Sequence, residues 1–277
     1  MASPDTEHDL EPVREPVLDT VLDKDGVRLT VDDAVATVTL TNPAKRNAQS
    51  PALWRALAEA GRLLPGSVRV VLLRAEGKSF SAGLDRQAFT PEGFDGEPSF
   101  LDLARGDDAA LDAAIAEYQE AFTWWRRSDV VSVAVVQGHA IGAGFQLALA
   151  CDLRVVADDV QFAMRETSLG LVPDLTGTHP LVGLVGYARA LEICVTGRFV
   201  TAEEAVASGL ANLAVPRDQL DAAAADLASA VLAAPRSAVI ETKALLQGAR
   251  ERSYEEQRAA ERQAQARRLR DLAGLGE

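Results

Sequence analysis

Two glycine-bearing turns hold the residues most able to do chemistry. The first is Gly138-His139-Ala140-Ile141-Gly142-Ala143-Gly144, set between a β-branched run at 130–136 and an apolar run at 145–150. A strand, a glycine turn and a helix in that order leave backbone N–H groups unpaired at the positive end of the helix. Such a place suits an anion, or an oxygen that becomes negative during a reaction. The second is Ser81-Ala82-Gly83-Leu84-Asp85, which follows the buried run at 68–73. Small residues in both turns let a ligand approach the backbone closely. One N–H from each, aimed at one carbonyl oxygen, makes a two-donor oxyanion hole that stabilises an enolate by about 3–4 kcal/mol per donor. The competing reading of each turn is tight packing alone.

The positioning elements follow from periodicity and punctuation. Residues 1–25 carry Pro4, Pro12 and Pro16 among acids and read as a flexible leader. Strands are expected at 27–31 and 35–40 around an Asp32-Asp33 turn, then at 68–73, 130–136, 153–156 and 160–163. Ser50-Pro51 opens a helix with a capping serine. Residues 87–108 have no strong period and are expected to be mobile. A helix over 109–127 carries Ile115, Tyr118, Phe122 and Trp125 along one side. Residues 165–178 read as loop. From Leu181 onward the chain reads as helical, over 187–196, 201–208, 220–233, 236–248 and 254–272. Strand-strand-helix units recur from residues 27, 68 and 130. The predicted fold is α/β: a coiled core of these units at 26–198 and a helical C-terminal region at 199–277.

Composition narrows the function classes. The chain has 277 residues, enough for a large core, and a net charge of -13, which disfavours nucleic acid as a partner. Cys151 and Cys194 sit in apolar patterns and read as buried thiols, and His8, His139 and His179 have no metal-ligand spacing. No metal or separate cofactor is expected. No run is apolar enough to span a membrane, and the N-terminus lacks a signal-peptide pattern, so the expected location is cytoplasmic.

In order and spacing, several short motifs resemble the crotonase superfamily, the enoyl-CoA hydratase/isomerase family, from about residue 27 to residue 263. They are Asn42-Pro43-Ala44-Lys45-Arg46-Asn47-Ala48, Phe80-Ser81-Ala82-Gly83-Leu84-Asp85, the turn 138–144, Cys151-Asp152-Leu153-Arg154, Gln161-Phe162-Ala163 with Glu166, and Gly170-Leu171-Val172-Pro173. The resemblance implies a crotonase-like spiral of ββα turns, a homotrimer or dimer of trimers, and an acyl-CoA thioester as substrate, with coenzyme A arriving as part of it. It implies oxyanion donors at the N–H groups of Ala82 and Ala143. It places Ala48, Ser81, Gly83, Leu84, Asp85 and Gly142 on substrate-binding loops. It also offers Lys45, Arg46 and Lys243 to the phosphates of CoA; the competing reading of each is a surface cation, and binding is the favoured reading for Lys45 or Arg46 while Lys243 is evenly balanced.

The resemblance also frames the reaction. Family hydratases use two carboxylates, one to activate water and one to handle the α-proton. At the first matching position this chain has Gln146, whose amide cannot usefully accept a proton. Glu166 stands at the second. Asp174 matches an aspartate that moves protons in the dienoyl-CoA isomerase branch. The expected function is therefore double-bond isomerisation by Glu166 and Asp174. The alternatives are a weak hydratase and a non-catalytic acyl-CoA binding protein. Asp174 has a competing role as a cap on the amides near Thr176-Gly177. Asp85 reads as a cap, and Asp152 and Arg154 as structural links.

Overall fold

Runs of valine, leucine and alanine with few polar interruptions make strands that are buried on both faces and therefore pair in parallel. In this computed structural model, which describes residues 19–94 and 97–275, the strands are β1 (Asp19–Lys24), β2 (Val27–Asp32), β3 (Val35–Leu40), β4 (Val70–Ala75), β5 (Val131–Val136), β6 (His139–Ile141), β7 (Leu153–Ala157), β8 (Gln161–Ala163), β9 (Val200–Thr201) and β10 (Leu213–Val215). The helices are α1 (Pro51–Leu63), α2 (Phe100–Leu103), α3 (Asp108–Thr123), α4 (Ala143–Ala150), α5 (Thr178–Val185), α6 (Tyr187–Thr196), α7 (Ala202–Ala207), α8 (Leu220–Ala233), α9 (Arg236–Gly248) and α10 (Tyr254–Leu272).

Seven strands form a sheet in the order β1-β2-β3-β4-β5-β7-β10. The first three pair antiparallel, and every pairing from β3 onward is parallel. A second sheet, β6-β8-β9, takes up the short strands that follow β5 and β7. After β4, Ser81 joins it through a bridge to Ala140. Each unit thus sends a long strand to one sheet and a short strand to the other before continuing to a helix. That repeat is the expected ββα spiral. The period of two decides the layers: Val71, Leu73, Ala134, Val136 and Val156 face the main core, while Val70, Leu72, Val133, Val135, Val155 and Ala157 face α8 at Leu220, Ala224 and Ala228.

The expected cap at Ser50 forms, and two further helices are capped. Ser50 accepts from the Leu53 N–H, with Pro51 in the first turn of α1. Thr201 caps α7, and Ser253 and Glu256 close a capping box on α10. Arg267 on α10 pairs at 2.6 Å with Glu241 on α9.

Four expectations are corrected. Residues 1–18 of the expected leader lie outside the described residues, but Asp19–Lys24 is a strand, paired with β2. The turn 138–144 contains the strand β6. The region after Leu181 is not all helix, because β9 and β10 add to both sheets. Strands of two or three residues are too short to show a period. Within 87–108, α2 forms, and its Phe100 stacks on Tyr118 with ring centroids 5.8 Å apart. A four-residue helix held by one aromatic leaves no periodic pattern either.

Candidate active site

The carboxyl ends of β4 and β5 open onto one cavity, as is usual where parallel strands end. Its volume is about 700 Å³, and its wall includes Ala82, Gly83, Leu84, Gly142, Ala143, Gln146, Glu166 and Asp174. The two glycine turns meet there. Gly83, with φ of 85°, lies so close to the other turn that a Cβ on it would come within 2.5 Å of the Ile141 carbonyl oxygen and 3.7 Å of the Ala143 nitrogen. Side chains at 83 are therefore forbidden both sterically and by the backbone.

Elimination identifies the free donor of the first turn. Ser81 donates its N–H to the His139 carbonyl at 3.0 Å, Ala82 to Arg46 at 2.9 Å, Gly83 to the Ser81 Oγ at 3.2 Å, and Asp85 to Gln49 at 2.8 Å. Only the Leu84 N–H of this turn has no acceptor among the described residues. The Gln49–Leu84 bridge explains why: Gln49 bonds the groups on either side of Leu84, so the N–H of Leu84 points the other way. The N–H of the expected donor Ala82 is therefore already spent on Arg46, and the free one of this turn belongs to Leu84. The other expected donor is Ala143. It is the first residue of α4, after Gly142 as N-cap, and its N–H has no acceptor among the described residues.

The three expected catalytic side chains come together. Glu166 follows β8 and is 9% exposed. Gln146 on α4 donates from Nε2 to Glu166 Oε1 at 2.7 Å. Its Oε1 accepts the N–H groups of Leu175 at 2.9 Å and Gly177 at 3.3 Å. Those partners fix the orientation of the amide, since a flip would face oxygen to carboxylate and NH₂ to N–H. Gln146, not Asp174, therefore caps the amides of this loop. Glu166 Oε2 is buried with no partner among the described residues. Gly142 lets the carboxylate lie close, where a Cβ would be 3.2 Å from Oε1. Burial raises the Glu166 pKa, which the Gln146 hydrogen bond partly offsets and the charge of Asp174 increases. Asp174 is open to the cavity, yet enough protein surrounds its carboxyl that desolvation raises its pKa too.

Other expected site residues lie elsewhere. Lys243 is buried beneath the sheet, where Nζ donates to the carbonyls of Arg127 and Val130 at 2.6 Å and pairs with Asp152 at 2.7 Å. It cannot reach a phosphate, and its expected CoA role is corrected to a structural one. Burial lowers its pKa against the pull of Asp152. Ser81 is fully buried, donating to the Asn47 carbonyl and accepting from Gln49 and Gly83, so it braces the turn instead of touching substrate. Lys45 and Arg46 are exposed, and Lys45 pairs with Asp85 at 3.2 Å. Neither they nor Ala48 and Asp85 belong to the cavity wall. Asp85 caps the next turn by accepting from the Gln87 N–H. Asp152 and Arg154 are links as expected: Arg154 is buried, pushed down to about 10 by desolvation, and donates to main-chain carbonyls. Cys151 is buried, with its thiol pushed up to about 12.

Sequence reasoning missed Trp54 and Arg86 as parts of the wall, and within 87–108, a segment expected to shape the acyl pocket, it did not single out Phe89 and Phe100. Of the expected aromatic side of α3, Ile115 and Tyr118 reach the cavity, while Phe122 and Trp125 belong to the core. No local signal marks Trp54, which looks like any apolar position of α1. Phe89 and Phe100 are aromatics in a stretch without period, and that contrast was the available clue.

Comparison with known proteins finds relatives of this chain. A Thermobifida fusca protein provisionally named an enoyl-CoA hydratase, solved with CoA, is 48% identical, with a TM-score of 0.85 over 90% of this chain and 95% of that one. The same protein solved with acetoacetyl-CoA is 49% identical, with a TM-score of 0.85 over 89% and 95%. The human mitochondrial Delta(3,5)-Delta(2,4)-dienoyl-CoA isomerase is 32% identical over 79% of this chain and 67% of its own. A Bacillus subtilis protein provisionally named an enoyl-CoA hydratase is 33% identical over 68% of each. The family model described as enoyl-CoA hydratase/isomerase matches residues 30–271. The chain belongs to the enoyl-CoA hydratase/isomerase family, within the crotonase superfamily, and is an enzyme of that family.

Proposed function

We propose that this enzyme moves a double bond along a CoA-linked acyl chain through a dienolate. The observation that carries the reading is Glu166, which lines the same cavity as Leu84 and Ala143: one oxygen is tethered to Gln146 and the other is buried with no partner among the described residues. A thioester carbonyl placed at those two N–H groups gains stabilisation as its oxygen turns negative. Glu166 then removes a proton next to the carbonyl, and Asp174 gives one back further along the conjugated chain. The C–H electrons move into the dienolate, and the new C–H bond forms at the distant carbon, so the double bonds shift with no net change in atoms. The Gln146 side-chain N–H favours the ionised form of Glu166, whereas Asp174 has only its own main-chain N–H to do so. That difference assigns the base to Glu166 and the acid to Asp174. The sequence likeness to a dienoyl-CoA isomerase supports the same reading, and the acetoacetyl-CoA complex of the Thermobifida fusca protein supports an acyl-CoA ligand.

The test follows label and bond position together. Acyl-CoAs with saturated, enoyl and dienoyl chains are incubated in deuterated water, and products are read by mass spectrometry and NMR. Isomerisation requires bond migration that is lost in Asp174→Asn. Binding without exchange or product across the panel rejects it.

The pH profile carries a sign. Glu166 must be ionised to accept a proton, so kcat/KM should rise with pH through an apparent pKa above the ordinary glutamate range. It should fall again as Asp174 loses the proton it donates. The two apparent values belong to the pair. A rising limb at an ordinary or lower carboxylate pKa contradicts the burial of the base.

Gln146→Glu puts a second carboxylate against Glu166 Oε1, now 2.7 Å from the amide nitrogen. Two such charges cannot both be ionised easily, so one pKa should climb further. Hydration of a short enoyl-CoA should rise about 10-fold or more, since a group able to accept a proton from water is then present. No rise, with acyl-CoA binding intact, removes position 146 from the water-activating place.

A further inference from the structure

A loop that carries an acid into a cavity must be held at a fixed height. The loop at 174–177 is held by two glutamines from different helices. Gln119 on α3 donates from Nε2 to the main-chain carbonyl of Asp174 itself at 2.6 Å. Gln146 on α4 takes the next free amides, those of Leu175 and Gly177, on one oxygen. Between them Thr176 has φ of 66°. A β-branched residue in the left-handed region is unfavourable by itself and persists only where its surroundings impose it. The same Gln146 amide then reaches Glu166 Oε1. One hydrogen-bonded path therefore runs from α3, through the backbone of Asp174–Gly177, to the carboxylate of Glu166.

We propose that Gln119 is a positioning residue that, with Gln146, fixes Asp174 relative to Glu166 and so sets the proton-return step without touching substrate. The inference rests on the isomerase reading above and deepens it. Its neighbours on α3 give it a further meaning. Tyr118 and Ile115 line the cavity one and four residues before it. The helix that shapes the acyl wall is thus the helix that holds the acid. The bland alternative is a half-buried helix residue whose hydrogen bond adds only stability.

Gln119→Leu removes the donor while keeping most of the bulk. Misplacement of a proton donor slows the step it serves, by about 10–100-fold here. Migration kcat should fall by that factor, with KM and Glu166-dependent α-proton exchange staying within about twofold. In an Asp174→Asn background the same change should add no further loss, because the group it positions is gone. Amide hydrogen exchange, read by mass spectrometry on peptides covering 171–180, should quicken in Gln119→Leu and not in the β5 strand. Equal losses in exchange and migration, an additive loss in the Asp174→Asn background, or unchanged amide exchange at 171–180 each overturn the proposal. If the wild-type enzyme shows no Asp174-dependent migration, the isomerase reading fails on that arm, and the amide-exchange arm alone decides whether Gln119 holds the loop.

Discussion

Glu166→Gln should abolish α-proton exchange and bond migration, lowering kcat by about 10²–10⁴-fold while acyl-CoA still binds. The size follows from the geometry. Oε2 is the buried oxygen without a partner, and no other carboxylate among the described residues lines the cavity except Asp174. Gln at 166 is isosteric and still meets the Gln146 amide, so the fold should tolerate it. The amide cannot take a proton. The oxyanion donors are main-chain groups and survive the change, so binding of the thioester should persist. Single-turnover exchange in deuterated water, with isothermal titration of the same ligand, measures both halves. Exchange at wild-type rate in Glu166→Gln would move the base elsewhere and end the mechanism proposed above.

Lys243→Ala should destabilise the protein by about 3–5 kcal/mol, a fall in Tm of roughly 6–20 °C for a domain of this size. The ammonium satisfies two carbonyls and Asp152, and Asp152 in turn accepts from the N–H and hydroxyl of Ser132 on β5. Removing the lysine leaves a half-buried carboxylate and two carbonyls to be satisfied by water or not at all. Lys243→Met fills the space but leaves the same groups unpaired, so it should recover only part of the loss. Thermal and urea unfolding give the shift. Folded Lys243→Ala should bind CoA with unchanged affinity. A tenfold loss of CoA affinity with an unmoved Tm would return Lys243 to the ligand site.

The contrast between Lys243 and Glu166 shows what one-dimensional pattern conveys. Long elements were legible: the expected spans 187–196, 220–233, 236–248 and 254–272 coincide with α6, α8, α9 and α10. The two glycine turns and the three polar residues of the site were legible because their types are chemically unusual in apolar surroundings. Burial direction was not. Lys243 sits on a helix with polar neighbours, and only the approach of α9 to the 127–130 segment and Asp152 turns it inward. The donor assignment failed for a related reason. Which N–H of residues 81–85 is free depends on Arg46 and Gln49, more than 30 positions earlier, and no spacing within the turn encodes those partners. The short strands β6, β9 and β10 owe their structure to neighbours in the sheet, not to their own two or three residues.

If Leu84 and Ala143 hold the thioester carbonyl as proposed, both donors are main-chain groups. A side-chain donor can be erased by any of many substitutions, but the N–H of Leu84 or Ala143 is lost only to proline. At these two positions most changes would reshape the acyl or thioester pocket while leaving its electrophile-activating dipoles intact. The proposed proton carriers have no such protection, since a change at position 166 or 174 swaps acid for amide at once, and a change at position 146 can do the reverse. The scaffold thus separates a hard-wired station that makes the enolate accessible from a rewritable set of groups that decides where the enolate's proton goes. A family built this way can change its reaction without having to rediscover how to begin it.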